Sequence, residues 1–278
     1  MNYHSDEWIM KNMWEHYDEA RQYFPGRSMV VLAYQGSANY ALDTEQSDVD
    51  TKLIVTPSFY DLAMNRQPVS TTHVRANNAH TDFKDVRLYM QTFRKMNINF
   101  LEILFTKYYL ITQSYEKQWQ RLIDARELIA RYDVAKCVRS MTGQAHTKYK
   151  NMFHDAPSTH ADIKKFGYSR KDLHHLLRIE EFLERYIDGE KYEDCLTSKQ
   201  SEYLKAIKID GANTFDDAQS LAQRAIEHVN LMHDEFLQRK HNVYKDVDEL
   251  LDDVQFEIMK IAIEKELYTE SVNKAENF

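Results

Sequence analysis

The spacing of apolar residues changes along the chain, and this change is the sequence feature that most limits the possible folds. A short apolar run of strand length occurs at residues 28–34, residues 49–56 alternate well enough for a second strand, and a third extended stretch is predicted at 69–76. Beyond Tyr115, nearly every segment instead has an apolar residue at every third or fourth position, which is typical of helices. Glycine and proline, at 6 and 4 of 278 residues, are too scarce for a loop-rich sandwich. The sequence therefore predicts a small α/β domain of about 110 residues followed by a helical domain.

Apolar spacing also places the individual helices. The first is predicted from residue 6 to Phe24 and is ended by Pro25-Gly26. A single helical turn is expected at 39–42, and residues 155–160 are the most loop-like interior stretch. The remaining predicted helices cover residues 85–95, 100–109, 116–132, 134–152, 169–188, 199–208, 214–238 and 246–268.

Net charge, cysteine content and the lengths of apolar runs limit the kinds of binding partner and the cellular compartment that we expect. A formal net charge of −8 argues against a broad surface that coats nucleic acid, although it allows a small basic groove. Cys137 and Cys195 are too few for a disulfide framework, which favours a reducing compartment. Residues 1–8 lack the apolar run of a secretory signal, and no segment approaches the roughly 20 apolar residues that span a bilayer. We therefore expect a cytoplasmic protein that does not contact a membrane.

Two short motifs next to the first two predicted strands carry the chemistry. Gly36 lacks a Cβ atom, so the backbone can approach a phosphate there, and the Ser37 hydroxyl and nearby free N–H groups suit phosphate oxygens. Asp48 and Asp50 share one face of the second strand, while Val49 points into the core. Two adjacent carboxylates favour a divalent cation with oxygen ligands, such as Mg²⁺. Each motif alone is common in turns and solvated strands, but their combination is much more specific.

This pattern of Gly36-Ser37, a spacer, and Asp48-x-Asp50 resembles the DNA polymerase beta superfamily of nucleotidyltransferases. More narrowly, it is similar to the predicted nucleotidyltransferases related to the RNA-repair-associated RlaP group. The narrower resemblance rests on Tyr40, three residues after Ser37, and on Ser47 directly before Asp48.

Two further segments support the narrower resemblance. Residues 97–105 resemble the group's Asn-x-x-x-x-Glu-x-Leu segment, and residues 167–178 resemble its Lys-x-x-x-His-x-x-Arg helix. The chain departs from the group at two places. Ala41 stands where a glycine usually follows the tyrosine, and Lys52-Leu53 stand where Arg-Gly is common.

The resemblance implies an α+β fold. A small nucleotidyltransferase domain at residues 1–112, with a mixed sheet and flanking helices, would precede an all-helical C-terminal domain at residues 113–278. Asp48 and Asp50 would be catalytic and would hold the metal cofactor, Mg²⁺ or Mn²⁺. The residues implied in nucleotide binding near these carboxylates are Gly36, Ser37 and Ser47.

Superfamily enzymes usually place a third acidic residue on a neighbouring strand, where it is a general base or a second metal ligand. Asp85 is the candidate taken here as catalytic, and Asp82 is the weaker alternative. Asp85 also precedes a predicted helix, so an N-cap role is an equally good interpretation of its position.

A basic stripe on the helix that begins at residue 169 completes the candidate site. Lys171, His175 and Arg178 lie at i, i+4 and i+7 and therefore share one face. A solvated surface is the commoner explanation of such a stripe, but the family resemblance favours binding of the triphosphate. The residues expected to face the helical core are Leu173, Leu176, Ile179 and Leu183, and Phe182 indicates that the second face is also covered.

The leading hypothesis is therefore an enzyme. It would transfer a nucleoside monophosphate from a nucleoside triphosphate to a hydroxyl acceptor and release pyrophosphate. An RNA end is the acceptor suggested by analogy, and a small molecule or protein side chain stays open. The first alternative is a non-catalytic nucleotide- or nucleic-acid-binding module on the same fold. The second is a helical interaction protein whose 18 tyrosines contact a partner, which leaves both motifs unexplained.

Overall fold

The computed structural model describes residues 3–23, 26–239 and 243–275, with side chains described up to residue 269. Phe24 and Pro25, at the predicted end of the first helix, lie outside the described residues. The chain divides into two compact units. The sheet unit contains the described residues within 3–36, 45–132 and 244–275. The helical unit contains residues 37–44 and the described residues within 133–243.

A five-stranded sheet forms the centre of the sheet unit. Its strands are β1 (Met29–Gln35), β2 (Asp50–Val55), β3 (Ser70–Val74), β4 (His80–Asp85) and β5 (Tyr109–Ile111). Their order is β3-β4-β2-β1-β5. Strands β2 and β4 are parallel, and the other neighbouring pairs are antiparallel. The predicted α+β class with a mixed sheet is therefore confirmed.

The sequence of β1 is a continuous apolar run and that of β2 alternates, and both strands are buried on both faces. These two strands were predicted, and so was β3, within the stretch at residues 69–76. The short strand β5 was not, and the helix predicted at residues 100–109 is wrong over its second half. Helix α4 (Ile98–Leu101) and a 3-10 turn at Glu102–Leu104 end it early. Strand β5 then pairs with β1, where Leu110 lies opposite Leu32. This pairing joins residues far apart in sequence, so local periodicity does not reveal it.

Helices surround the sheet. Helix α1 (Asp6–Tyr23) forms at the predicted position and buries Ile9, Met13 and Ala20. The helix predicted at 116–132 is present in two pieces that meet at Ala125. The other helices of this unit are α2 (Phe59–Ala63), α3 (Val86–Arg94), α5 (Glu116–Asp124), α6 (Arg126–Ala130) and α13 (Asp246–Ala275).

The last helix belongs to the sheet unit, unlike the expected division at residue 112. Helix α13 packs against α2, α3 and α5. Arg94 on α3 donates to Asp248 at 2.8 Å and to Asp252 at 2.6 Å. The apolar stripe that α13 buries consists of Val247, Leu251, Val254, Ile258 and Ala262. Burial of this stripe explains why a helix so late in the chain folds with the sheet.

The helical unit is built around α9 (Arg170–Ile187), which packs against four other helices. Its helices are otherwise α7 (Val134–Asn151), α8 (His160–Phe166), α10 (Tyr192–Leu196), α11 (Ser201–Ile209) and α12 (Phe215–Leu237). The long helices match the predicted ranges closely, whereas the short α8 and α10 were not predicted. The single turn expected at 39–42 is a 3-10 turn at Ser37–Tyr40. Across the described residues, every helix is too short or too polar to cross a membrane.

Candidate functional site

The paired carboxylates lie where β2 begins. Asp50 is the first residue of β2, and Asp48 precedes the strand rather than lying on it as expected. Val49 between them is buried, as predicted. Asp48 is exposed and Asp50 is half-buried. The buried Val49 therefore anchors a short segment that presents both carboxylates.

The two carboxylates affect each other electrostatically. Burial raises the pKa of Asp50 above its ordinary value, and the negative charge of Asp48 raises it further. His80 on β4 opposes this, because its backbone N–H donates to Asp50 Oδ1 at 2.7 Å and its ring Nδ1 lies 3.3 Å away. A divalent cation would relieve the repulsion that these contacts leave.

Asp82 points to the same side of the sheet as Asp50. Lys52 of β2 lies opposite Asp82 of β4, and its Nζ donates to Asp82 Oδ2 at 2.8 Å. The Thr72 hydroxyl donates to the other carboxylate oxygen at 2.6 Å. Burial would raise the pKa of Asp82, but Lys52 and these hydrogen bonds lower it below its ordinary value. Asp82 is therefore an ionised carboxylate with both oxygens engaged.

Asp85 lies on the opposite face of β4 and is fully buried. Its side chain caps α3 by accepting from the Arg87 backbone N–H. The Arg87 guanidinium also donates to both carboxylate oxygens, at 2.9 and 2.7 Å. The N-cap interpretation is therefore confirmed. The catalytic interpretation of Asp85 needs a correction, because strand alternation turns this carboxylate away from Asp50.

The face of the sheet turned away from Asp50 holds a buried polar triad that sequence analysis missed. His16 Nδ1 on α1 lies 3.0 Å from Thr51 Oγ1 and 2.8 Å from Thr81 Oγ1, and the two hydroxyl oxygens are 3.0 Å apart. Thr51 and Thr81 directly follow Asp50 and His80 in sequence. The triad thus ties β2 to β4 behind the carboxylates. The sequence contained one indication of this triad, which is that His16 lies on the apolar face of α1.

The Gly36-Ser37 motif marks the point where the chain passes from one unit to the other. Gly36 belongs to the sheet unit, and Ser37 begins the segment at residues 37–44 that folds with the helical unit. A Cβ atom on Gly36 would collide with the Tyr34 ring. Glycine is therefore required here because of a close approach within the protein. The predicted approach of Gly36 to a phosphate stays a prediction.

Within the helical unit, two cations hold the segment at residues 37–44. Lys208 Nζ on α11 donates to the Leu42 carbonyl at 3.1 Å and lies 3.5 Å from Ser37 Oγ. Arg178 on α9 lies over the Tyr40 ring, 3.9 Å from its centroid. Lys208 was not predicted, since nothing in the local sequence of α11 separates it from other surface lysines.

The predicted basic stripe of α9 is only partly basic. Lys171 is exposed, whereas His175 is half-buried. Burial lowers the pKa of His175 well below its ordinary value, and the nearby His174, Lys148, Arg178 and Lys171 lower it further. His175 is therefore neutral near pH 7, which corrects its expected role as a cation. The core positions are confirmed, because Leu173, Leu176, Ile179, Leu183 and Phe182 are all buried.

The metal-binding potential rests on Asp48 and Asp50. No group of three or more His, Cys, Asp or Glu side chains within the described ranges could hold a metal ion by itself. Mg²⁺, however, is commonly bound by one or two carboxylates, substrate phosphates and water. The carboxylate pair fits that kind of incomplete site. Ser47 is half-buried beside this pair, and its predicted contact with nucleotide stays a prediction.

Comparison with known proteins gives no further guide, since neither a family model nor a curated protein matches this chain.

Proposed function

We propose that the protein is a metal-dependent nucleotidyltransferase whose metal ligands are Asp48 and Asp50. The observation that carries the proposal is the position of these two carboxylates, which the buried Val49 presents together at the start of a central strand. Mg²⁺ or Mn²⁺ held there would neutralise triphosphate charge and lower the pKa of an attacking hydroxyl.

The reaction joins the acceptor oxygen to the α-phosphorus of a nucleoside triphosphate. The bond from that phosphorus to the bridging oxygen of the β-phosphate breaks, pyrophosphate leaves, and the proton of the acceptor hydroxyl passes to solvent. Asp48 and Asp50 would hold the ion, and the two His80 contacts hold Asp50 Oδ1 in place. An RNA end is the first acceptor to test. Gly36, Ser37 and Ser47 remain the proposed nucleotide-binding residues.

For the helical unit we propose anion binding by Lys171, Arg178 and Lys208. The pKa of His174 is lowered to about 4, first by burial and then by the positive charges of these three residues, although its hydrogen bond to the Leu204 carbonyl raises it. Arg178 and Lys208 both contact the segment at residues 37–44, and Lys171 lies about two turns before Arg178 on α9. The charge distribution suits phosphate groups.

Transfer can be tested directly with the four α-labelled nucleoside triphosphates, Mg²⁺ or Mn²⁺, and a mixed RNA pool. We expect label to enter RNA with the wild type and to fall at least about 100-fold in Asp48→Asn/Asp50→Asn, because charge stabilisation of the transition state is lost. Glu45→Gln, an exposed change in the same loop, is the matched control and should retain activity.

A binding module without transfer activity is the second candidate. The contact between Lys52 and Asp82 favours it, because the third carboxylate is already engaged. In the same assay, this candidate predicts metal-dependent nucleotide binding without label transfer to RNA, protein or small products. Label transfer that persists in the double variant would contradict the proposed role of Asp48 and Asp50.

A further inference from the structure

We propose that Lys52 is an internal cation that takes the place of a second metal ion, so that the site binds one divalent ion. The inference rests on the proposed metal site at Asp48 and Asp50. It assigns a role to Lys52, the residue at which the chain departs from the Arg-Gly pattern of the group it resembles.

The Lys52 side chain is buried in the sheet unit. Its side chain is only 3% exposed, and its Nζ lies 2.8 Å from Asp82 Oδ2. The same Nζ lies 4.2 Å from the centroid of the Phe100 ring. A lysine so deeply buried requires a carboxylate partner, since an isolated charge would be strongly disfavoured there. The ammonium group is therefore held between the Asp82 carboxylate, which is 34% exposed, and the Phe100 ring.

Asp82 is correspondingly unsuited to bind a second ion. Lys52 engages one of its oxygens and the Thr72 hydroxyl engages the other. The parallel pairing of β2 with β4 sets Lys52 directly opposite Asp82, so the contact follows from strand register. A metal ion at Asp82 would have to displace both donors and leave a buried ammonium beside a dication.

The local charge also favours one ion over two. Asp48, Asp50 and Asp82 carry a charge of −3 when ionised, and Lys52 and Lys84 bring the sum to −1, because the charge of Lys84 also acts on Asp82. One divalent ion therefore already exceeds this charge, and a second would leave a large positive excess. The Lys84 Nζ donates to Ser70 at 2.9 Å instead of to Asp82, and it lies 4.8 Å from the centroid of the Phe100 ring. Lys84 is therefore a suitable control for a change at Lys52.

The test is to count Mn²⁺ ions bound per full-length chain, from the electron paramagnetic resonance signal of free Mn²⁺ during titration. We expect one ion for the wild type, for Lys52→Arg, which keeps the charge, and for Lys84→Met. Lys52→Met removes the ammonium group and leaves Asp82 Oδ2 without its donor, so the count should rise from one to two. The double variant Lys52→Met/Asp82→Asn should return it to one.

The wild-type count keeps the test decisive if Lys52→Met does not fold. The inference predicts one ion per chain, whereas a conventional two-ion site predicts two. Two ions in the wild type, or one ion in a folded Lys52→Met, would overturn the inference and leave the proposed function standing. Absence of any Mn²⁺ binding in the wild type would instead overturn the proposed metal site, and the inference with it.

Discussion

At the scale of single residues, His16 shows how a buried polar group can support the candidate site from the opposite face of the sheet. Its side chain is almost fully buried, and its Nδ1 contacts Thr51 and Thr81. Burial, followed by the positive charge of Arg75, lowers the pKa of His16 to about 4. The folded protein therefore holds this imidazole neutral.

The lowered pKa of His16 predicts a loss of stability in weak acid. The unfolded chain, with a histidine pKa near 6.5, takes up a proton that folded His16 does not, so the free energy of unfolding falls below about pH 6.5 and levels off below about pH 4. Between pH 7 and pH 5 this amounts to about 2 kcal/mol. His16→Asn, which cannot titrate, should lose about that much less in urea unfolding over this range. Equal losses in the two proteins would contradict the prediction.

Ala41 adopts a backbone conformation that favours glycine. Its φ angle of +56° lies in the left-handed region, where a Cβ atom is disfavoured. Ala41→Gly should therefore raise the free energy of unfolding by about 0.5–1 kcal/mol. Ala38→Gly in the same segment, where φ is negative, should lower it by a similar amount or more. Thermal unfolding of both variants checks the opposite signs.

At the scale of secondary structure, local periodicity predicted the long helices and the two central strands but not β4. One face of β4 is buried through Thr81, Phe83 and Asp85, while the other carries charge. Its partners on β2 lie about 30 positions earlier in sequence. The contact between Lys52 and Asp82 therefore cannot be predicted from the local sequence around either residue. The carboxylate pair of Asp48 and Asp50 could be identified from the sequence because it is local. The contact between Lys52 and Asp82 could not, because it depends on strand pairing.

Helix α13 offers a direct test of what joins it to the sheet unit. Leu251 is fully buried, whereas Phe256 on the same helix is 68% exposed. Leu251→Ala should lower the free energy of unfolding by about 2–5 kcal/mol, and Phe256→Ala should change it by less than about 0.5 kcal/mol. Urea unfolding followed by circular dichroism measures both. Similar effects of the two changes would contradict the assigned orientation of the helix.

At the scale of the whole molecule, the chain does not simply run through a sheet domain and then a helical domain, because each unit contains segments from both parts of the sequence. The change of period after residue 115 located the helices, but periodicity does not say which helices pack together. The sheet unit draws on three stretches of the chain, and residues 37–44 fold with the helical unit. These assignments follow from tertiary contacts of α13 and of Lys208, which a linear reading of the sequence does not contain.

The late position of α13 has a consequence for synthesis on the ribosome. The strands of the sheet are translated first, but the helix that covers α3 and α5 follows only after the whole of residues 133–243. At typical translation rates that intervening stretch takes roughly 5 to 20 seconds to make. During that interval the nascent sheet exposes the apolar surface that α13 later buries. The sheet unit can therefore reach its native state only after α13 has been translated. By then the helices of residues 133–243, which follow the strands in sequence, have already been made.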